Sequence, residues 1–283
     1  MKKSTKTLSY IKLRNGSFSY SHTLTENPND NQHTTYTLDR YEIYYLISGD
    51  VVYQVEGQSY NLKPGDLLII NNKEIHRPYF TSDESYERIL LFFKPEFCSH
   101  YSNEDYSILQ YFDRKKPGCF NLVESNLVEA ENLVNYFHTI EKYIKENLPQ
   151  SKTLIELTFI QLLIHINEII ASHKDSFTLK FDYNKKIEQI IFYINDNLYS
   201  QLSLNEISKT FYINKYYFSH QFKKITGVSF KEYIINKRVA KAIELLKLSI
   251  PPSEVFIQAG FKDYSSFYKA FKKIVGVSPS RYQ

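Results

Sequence analysis

Two cysteines, Cys98 and Cys119, in 283 residues are too few for a disulfide framework or for a structural zinc site of their own. A reducing cytoplasm fits such a chain. The first fifteen residues are polar and basic with no apolar run, so no signal peptide is expected. The richest apolar stretch, Leu154 to Ile170, is interrupted by Glu156, Gln161, His165 and Asn167, and falls short of a clean membrane span. No Ser/His/Asp set, Cys/His pair or phosphate-cradling glycine loop is present, so no common catalytic motif points to an enzyme.

What is present is apolar enough to fold, at 42% hydrophobic residues, and long enough for two domains with separate cores. The net charge of +4 conceals an asymmetry. From Tyr183 onward the net charge is +9, and the residues before it carry −5. A basic domain joined to a mildly acidic one is the electrostatic signature of a nucleic-acid-binding module attached to something else.

The basic part contains a repeat. Phe218 to Tyr233 returns 49 residues later as Phe267 to Tyr282, with nine of sixteen positions identical, which means one supersecondary unit used twice. In each copy two phenylalanines four apart, Phe218 and Phe222 or Phe267 and Phe271, share one helix face and must pack inward. Two lysines follow in the last turn, and Gly227 or Gly276 stops the helix. Ser229 to Glu232 forms a capping box for the next helix, and Ser278-Pro279 places proline at its first position. Upstream, Ser203 to Glu206 and Ser253-Glu254 open shorter helices, and Asn214 and Asp263 are suitable N-caps for the repeated ones. Each unit therefore reads as helix-turn-helix.

These residues carry a resemblance. Lys186 to Tyr282 resembles the DNA-binding domain of the AraC/XylS transcription regulators, through Gly260-Phe261, Phe267, Phe271-Lys272-Lys273, Gly276, Ser278-Pro279 and Tyr282. In a helix-turn-helix the first turns of the second helix meet base edges. That assigns Lys215, Tyr216, Ser219 and His220 in the first unit, and Tyr264, Ser265, Tyr268 and Lys269 in the second, to base reading. The alternative for such side chains is an ordinary solvated face. Neither helix presents an arginine there, so A·T-rich sites and DNA shape are expected to contribute. Phosphate contacts are expected from Lys223, Lys224, Arg238, Lys241, Lys272 and Lys273. Ser229 to Leu246 is the rigid helix between the units, spanning roughly 27 Å. Four positions depart from the family pattern: Ser208 and Phe256, where a small alanine is usual, Tyr212 in place of a turn glycine, and Gln283 in place of arginine; Ser208 is benign. Phe256 is expected to widen the second unit's helix crossing or rotate out.

The acidic part reads as β from about 17 to 95, with turns at Gly49-Asp50, Glu56-Gly57 and Pro64-Gly65-Asp66. Tyr41-Glu42, Ser48-Gly49, Tyr60 to Asp66 and His76-Arg77-Pro78 resemble the cupin effector domain of the same regulators. Metal-binding cupins use two histidines, a glutamate and a later histidine. Glu42 and His76 match two of these, but Tyr36 and Leu38 stand at the others, so no metal or other cofactor is expected. Glu42, His76, Tyr36 and Tyr44 are candidates for an effector pocket, a sugar suiting such a lining; the alternative leaves Glu42 in solvent and His76 in a turn.

Apolar spacing from Asn126 to Leu148 predicts a helix ended by Pro149. A second helix follows Ser151, apolar on more than one face, whose second partner is either a second subunit or the domain's own core. The expected organisation is α+β in two domains. A cupin-like barrel with following helices occupies 1–175, a linker 176–184, and an all-α domain of two helix-turn-helix units joined by a long helix 185–283. The resemblance implies a cytoplasmic, dimeric, DNA-binding transcription regulator, more often an activator, with RNA polymerase as partner and a small-molecule effector. Two alternatives stay open: a regulator answering a protein partner or physical signal, and a cupin enzyme with an accessory DNA-binding domain.

Overall fold

The structure, a computed structural model, describes residues 4–28, 40–113, 118–172 and 185–282. Tyr36, Leu38 and the expected linker lie outside these.

The acidic domain contains β1 (Ser4–Leu13), β2 (Phe18–Glu26), β3 (Tyr41–Ser48), β4 (Val51–Val55), β5 (Gln58–Leu62), β6 (Leu67–Ile70), β7 (His76–Phe80), β8 (Tyr86–Phe93) and β9 (Leu122–Val123). They form a six-stranded sheet in the order β1-β2-β8-β3-β6-β9 and a three-stranded sheet in the order β5-β4-β7. The larger sheet begins well before the expected start near residue 17. Its pairs are antiparallel, with Glu42 opposite Ile70 on one side and Phe92 on the other.

The period of two along β3 decides which side chain meets what. Tyr41 and Ile43 join the core under the helices, whereas Tyr44 and Leu46 join the core between the sheets. Both faces of β3 are therefore buried, one towards the small sheet and one towards the helices.

Those helices include α1 (Pro95–Cys98), α2 (Gln110–Asp113), α3 (Ser125–Ala130), α4 (Val134–Glu146) and α5 (Ser151–Ser172). The single helix expected from Asn126 is broken in two, with Asn132 at φ 51°, and α4 ends at left-handed Asn147 before Pro149 is reached. By length and composition α5 could cross a membrane, but Ile155, Phe159, Leu162, Leu163 and Ile166 are buried in the core beneath the sheet. Phe159 packs tilted against Phe18 and edge-on against Phe93, with ring centroids 4.7 and 4.9 Å apart. The stripe left outward, Leu157, Gln161, Ile164 and Glu168, mixes apolar and polar residues.

The basic domain contains α6 (Lys185–Asp196), α7 (Leu204–Thr210), α8 (Lys215–Thr226), α9 (Phe230–Lys247), α10 (Pro252–Gln258), α11 (Tyr264–Val275) and α12 (Pro279–Tyr282). Its start and stop chemistry is local. Both expected capping boxes form, Ser203 with Glu206 and Ser229 with Glu232. The Asn214 side chain accepts from the N–H groups of Tyr216 and Tyr217, and that of Asp263 accepts from Ser266. Gly227 and Gly276 end α8 and α11 in the left-handed region, which only glycine enters without cost. One cap differs: α10 starts with proline at its first position, leaving Ser253 inside the helix.

Candidate nucleic-acid interface

In each unit the second helix is held by its phenylalanines. Phe218 and Phe222 are fully buried with Phe230 and Tyr233, and Phe267 and Phe271 with Phe261, Val255 and Ala259. Burial of these faces turns the opposite faces of α8 and α11 outward. Lys215, Tyr216 and His220 are exposed, Tyr216 by 74%, and Ser219 is half-buried. On α11, Tyr264, Ser265, Tyr268 and Lys269 are all exposed. The structure thus brings each set of four onto one outward, capped helix start, at the positive end of the helix dipole. The Lys215 ammonium lies 5.1 Å from the centre of the Tyr216 ring, and Tyr264 and Tyr268 lie 6.4 Å apart. Hydroxyls on aromatic platforms, with a lysine at each helix, can stack on sugars and donate single hydrogen bonds to base edges.

Two tyrosines missed from the sequence lie at the same edge. Tyr212 is 92% exposed at φ 49°, and Tyr217 is 50% exposed. The departure from a turn glycine at Tyr212 was a signal for the first. No sequence signal separated Tyr217 from the inward face.

Lys223, Lys224, Lys272 and Lys273 are exposed at the far ends of the two helices. Arg238 is placed differently. Its Nε donates to the Leu198 carbonyl at 2.9 Å and a terminal nitrogen donates to Ser200 at 2.8 Å, so it closes the chain after α6. Lys241 pairs with Glu244 at 3.1 Å, one turn on, and is half-buried. A phosphate contact from either arginine or lysine would have to compete with these partners. Phe256 is half-buried and meets Tyr264 edge-on at 5.8 Å, while Val255 and Ala259 fill the crossing, so the second unit docks with Phe256 at its margin. Ser208 donates to the Ile213 carbonyl at 2.6 Å and ties down the turn of the first.

The barrel candidates form a different arrangement from the one expected. Glu42 and His76 are each 2% exposed and face one another, Nε2 to Oε2 at 3.0 Å. The Tyr53 hydroxyl donates to Glu42 at 3.2 Å, and His76 Nδ1 donates to the Glu74 carbonyl at 2.8 Å. Tyr44 is paired with Tyr86 at 2.6 Å. Burial works against the charged imidazole, but the Glu42 carboxylate and the Glu74 acceptor outweigh it and raise His76 above its ordinary value. The solvent-facing alternative for Glu42 is thereby corrected, because inter-sheet packing encloses it. The cavity beside these groups, lined by Tyr44, Tyr53, Tyr86 and Arg88, measures about 40 Å³. That is far below the several hundred Å³ typical of a small-molecule site. Among the described residues no group of three or more histidine, cysteine or carboxylate side chains is placed to hold a metal.

Two helix-turn-helix units on one linking helix, each presenting a capped and outward second helix, define a DNA-binding protein with a sheet-rich partner domain. Residues 207–283 match a helix-turn-helix domain family, and residues 42–173 match the ExsA N-terminal regulatory domain. The activator AarP of Providencia stuartii is 33% identical over 98 residues, which cover 34% of this chain and 73% of that one. The chain belongs to the AraC-type transcription regulators. The lactose operon transcription activator of Staphylococcus xylosus is 23% identical over 257 residues, covering 88% of this chain and 85% of that one. Several other curated relatives match over shorter segments, and the chain spans about half of their length. A crystal structure of ToxT from Vibrio cholerae with unsaturated fatty acid bound is 19% identical and covers 97% of this chain and 95% of that one, at a TM-score of 0.41.

Proposed function

We propose that this regulator activates transcription in the cytoplasm by placing α8 and α11 in successive major grooves, as a dimer that engages RNA polymerase. The carrying observation is the paired, outward-facing helix starts on one rigid helix. With α9 spanning about 27 Å, the two units can follow grooves about 34 Å apart on one face of the duplex. The outward stripe of α5 around Leu157 and Ile164 is the surface that supports the dimer reading. The match to a lactose operon activator over most of both chains supports activation and keeps a sugar-like effector in view.

A specific observation favours a second reading of the input signal. With Glu42, His76 and Tyr44 engaged with protein partners and only about 40 Å³ open, a sugar enters the barrel only if the tyrosine rings part. A regulator answering a protein partner or a physical signal needs no such opening.

Two experiments on the full chain test these readings. Binding to a duplex selected in vitro should weaken steeply with salt, and a flat dependence would refute the phosphate assignment. In thermal unfolding against a panel of sugars, a true effector at a hundredfold over its dissociation constant adds about 2.7 kcal/mol. A shift that survives Glu42→Ala would remove the barrel site.

A further inference from the structure

Between β4 and β5 the chain turns at Glu56-Gly57, with φ of 50° and 84°. The left-handed conformation at a glutamate is unfavourable, so its surroundings have to hold it. They come from both domains. The Glu56 carboxylate accepts from the Lys237 ammonium at 2.6 Å, from the Tyr233 hydroxyl, from Asn195 at 3.4 Å and from the backbone N–H of Ile75. Lys237 donates a second bond to the Lys73 carbonyl at 2.6 Å. Glu56 is 3% exposed and Lys237 5%. At Gly57 a methyl group would run into the Ile191 side chain, so the hairpin backbone itself lies against α6. Ile75, from the same rim of the acidic domain, is part of the first unit's core.

Beyond this plug the acidic domain runs along the C-terminal half of α8. The Tyr79 hydroxyl donates to the Lys224 carbonyl at 2.7 Å. Arg77 lies 3.8 Å over the Tyr79 ring and packs against Gly227. Arg77, His220, Lys223 and Lys224 consequently share one cleft of about 490 Å³. That volume suits a small molecule, not a duplex. DNA reaching for Lys223 and Lys224 would meet Tyr79 and Arg77, which already occupy this flank of α8.

We propose that the Glu56-Gly57 turn is an autoinhibitory latch. Seated, it holds the acidic domain against the phosphate-facing flank of α8; released, it lets both units engage the duplex. A buried ion pair suits this role, since it adds little net stability when intact and strands a charge when one partner is lost. The proposal rests on α8 being a DNA-binding helix.

The test uses the full chain and a duplex selected in vitro with it. Glu56→Gln should bind at least about fivefold more tightly, within the usual range of coupling between sites. Its binding should also depend more steeply on salt, and its radius of gyration by small-angle scattering should grow. Tyr79→Phe, at the exposed rim, should give a smaller gain of the same sign. A folded Glu56→Gln chain that binds no more tightly, or scatters like the wild type, overturns the latch. Should that variant misfold, absence of any gain from Tyr79→Phe combined with Lys73→Ala, which removes the ion pair of the Lys73 ammonium with Glu244 at 2.5 Å, overturns it equally. Failure of wild type and variants alike to bind any duplex would instead sink the DNA reading, while scattering would still judge the latch.

Discussion

Phe218 and Phe222 in the first unit and Phe267 and Phe271 in the second occupy equivalent positions of the repeat, and all four are fully buried. They are buried against different things. The first pair shares its core with the isoleucines of α6 and with Ile75 of the acidic domain. The second pair lies in a core built by α9, α10, α11 and Tyr282 of α12. One sequence unit thus sits in two settings: the first copy is a docking body as well as a helix-turn-helix, whereas the second is carried on the end of α9. Near-identical local sequence sets helix limits and inward faces, but the neighbours decide what each copy is coupled to.

The strongest way to break this comparison is to hollow out each unit in turn. Phe222→Ala and Phe271→Ala should each cost about 3–5 kcal/mol locally, the usual penalty for emptying a packed aromatic site. Hydrogen exchange should then separate them. Loss of protection should reach the β4–β5 hairpin in Phe222→Ala and stay within α10 to α12 in Phe271→Ala. Equal effects on the hairpin would mean that the units are coupled alike.

A smaller difference is expected on DNA. Replacing Lys272 and Lys273 by alanine should lower the slope of log affinity against log salt by about 1.8, from two lost phosphate contacts. The same change at Lys223 and Lys224 should lower it less in the full chain, because those lysines share their cleft with Arg77. Titration of binding against salt for both double variants measures this.

The smallest effect is a pH dependence confined to the docked side. Because His76 is raised above its ordinary value, its stabilising contribution is complete below about pH 6.5 and is lost as pH climbs through the raised value. Thermal unfolding from about pH 6 upward should show the acidic domain weakening, and Glu42→Gln should remove most of that trend. The second unit, with no such group in its core, should unfold independently of pH over the same range.

Much of the basic domain was legible because its signals are local. Ser203, Asn214, Ser229 and Asp263 cap the helices that their side-chain chemistry selects, and the spacing of the phenylalanines gives the buried face. The break at Asn132 was not legible, since the apolar spacing continues through it while only the backbone turns left-handed. Lys237 was misread by omission. It stands four residues after Tyr233 on an apolar face, a charge in a place where only a buried partner makes sense, yet that partner is 181 residues away. Likewise Glu42 and His76 were chosen for their chemistry, but their distance from solvent depends on Tyr44, Tyr53 and Tyr86 closing over them from three strands.

The sequence by itself determined the two helix-turn-helix units, their caps and stops, the basic charge and the outward residues of α8 and α11, because each depends on neighbours within about one or two helical turns. Only the tertiary structure decided that the barrel interior is filled and that Glu56 meets Lys237. Such contacts join residues far apart in the chain, and no local periodicity records which buried charge will face which.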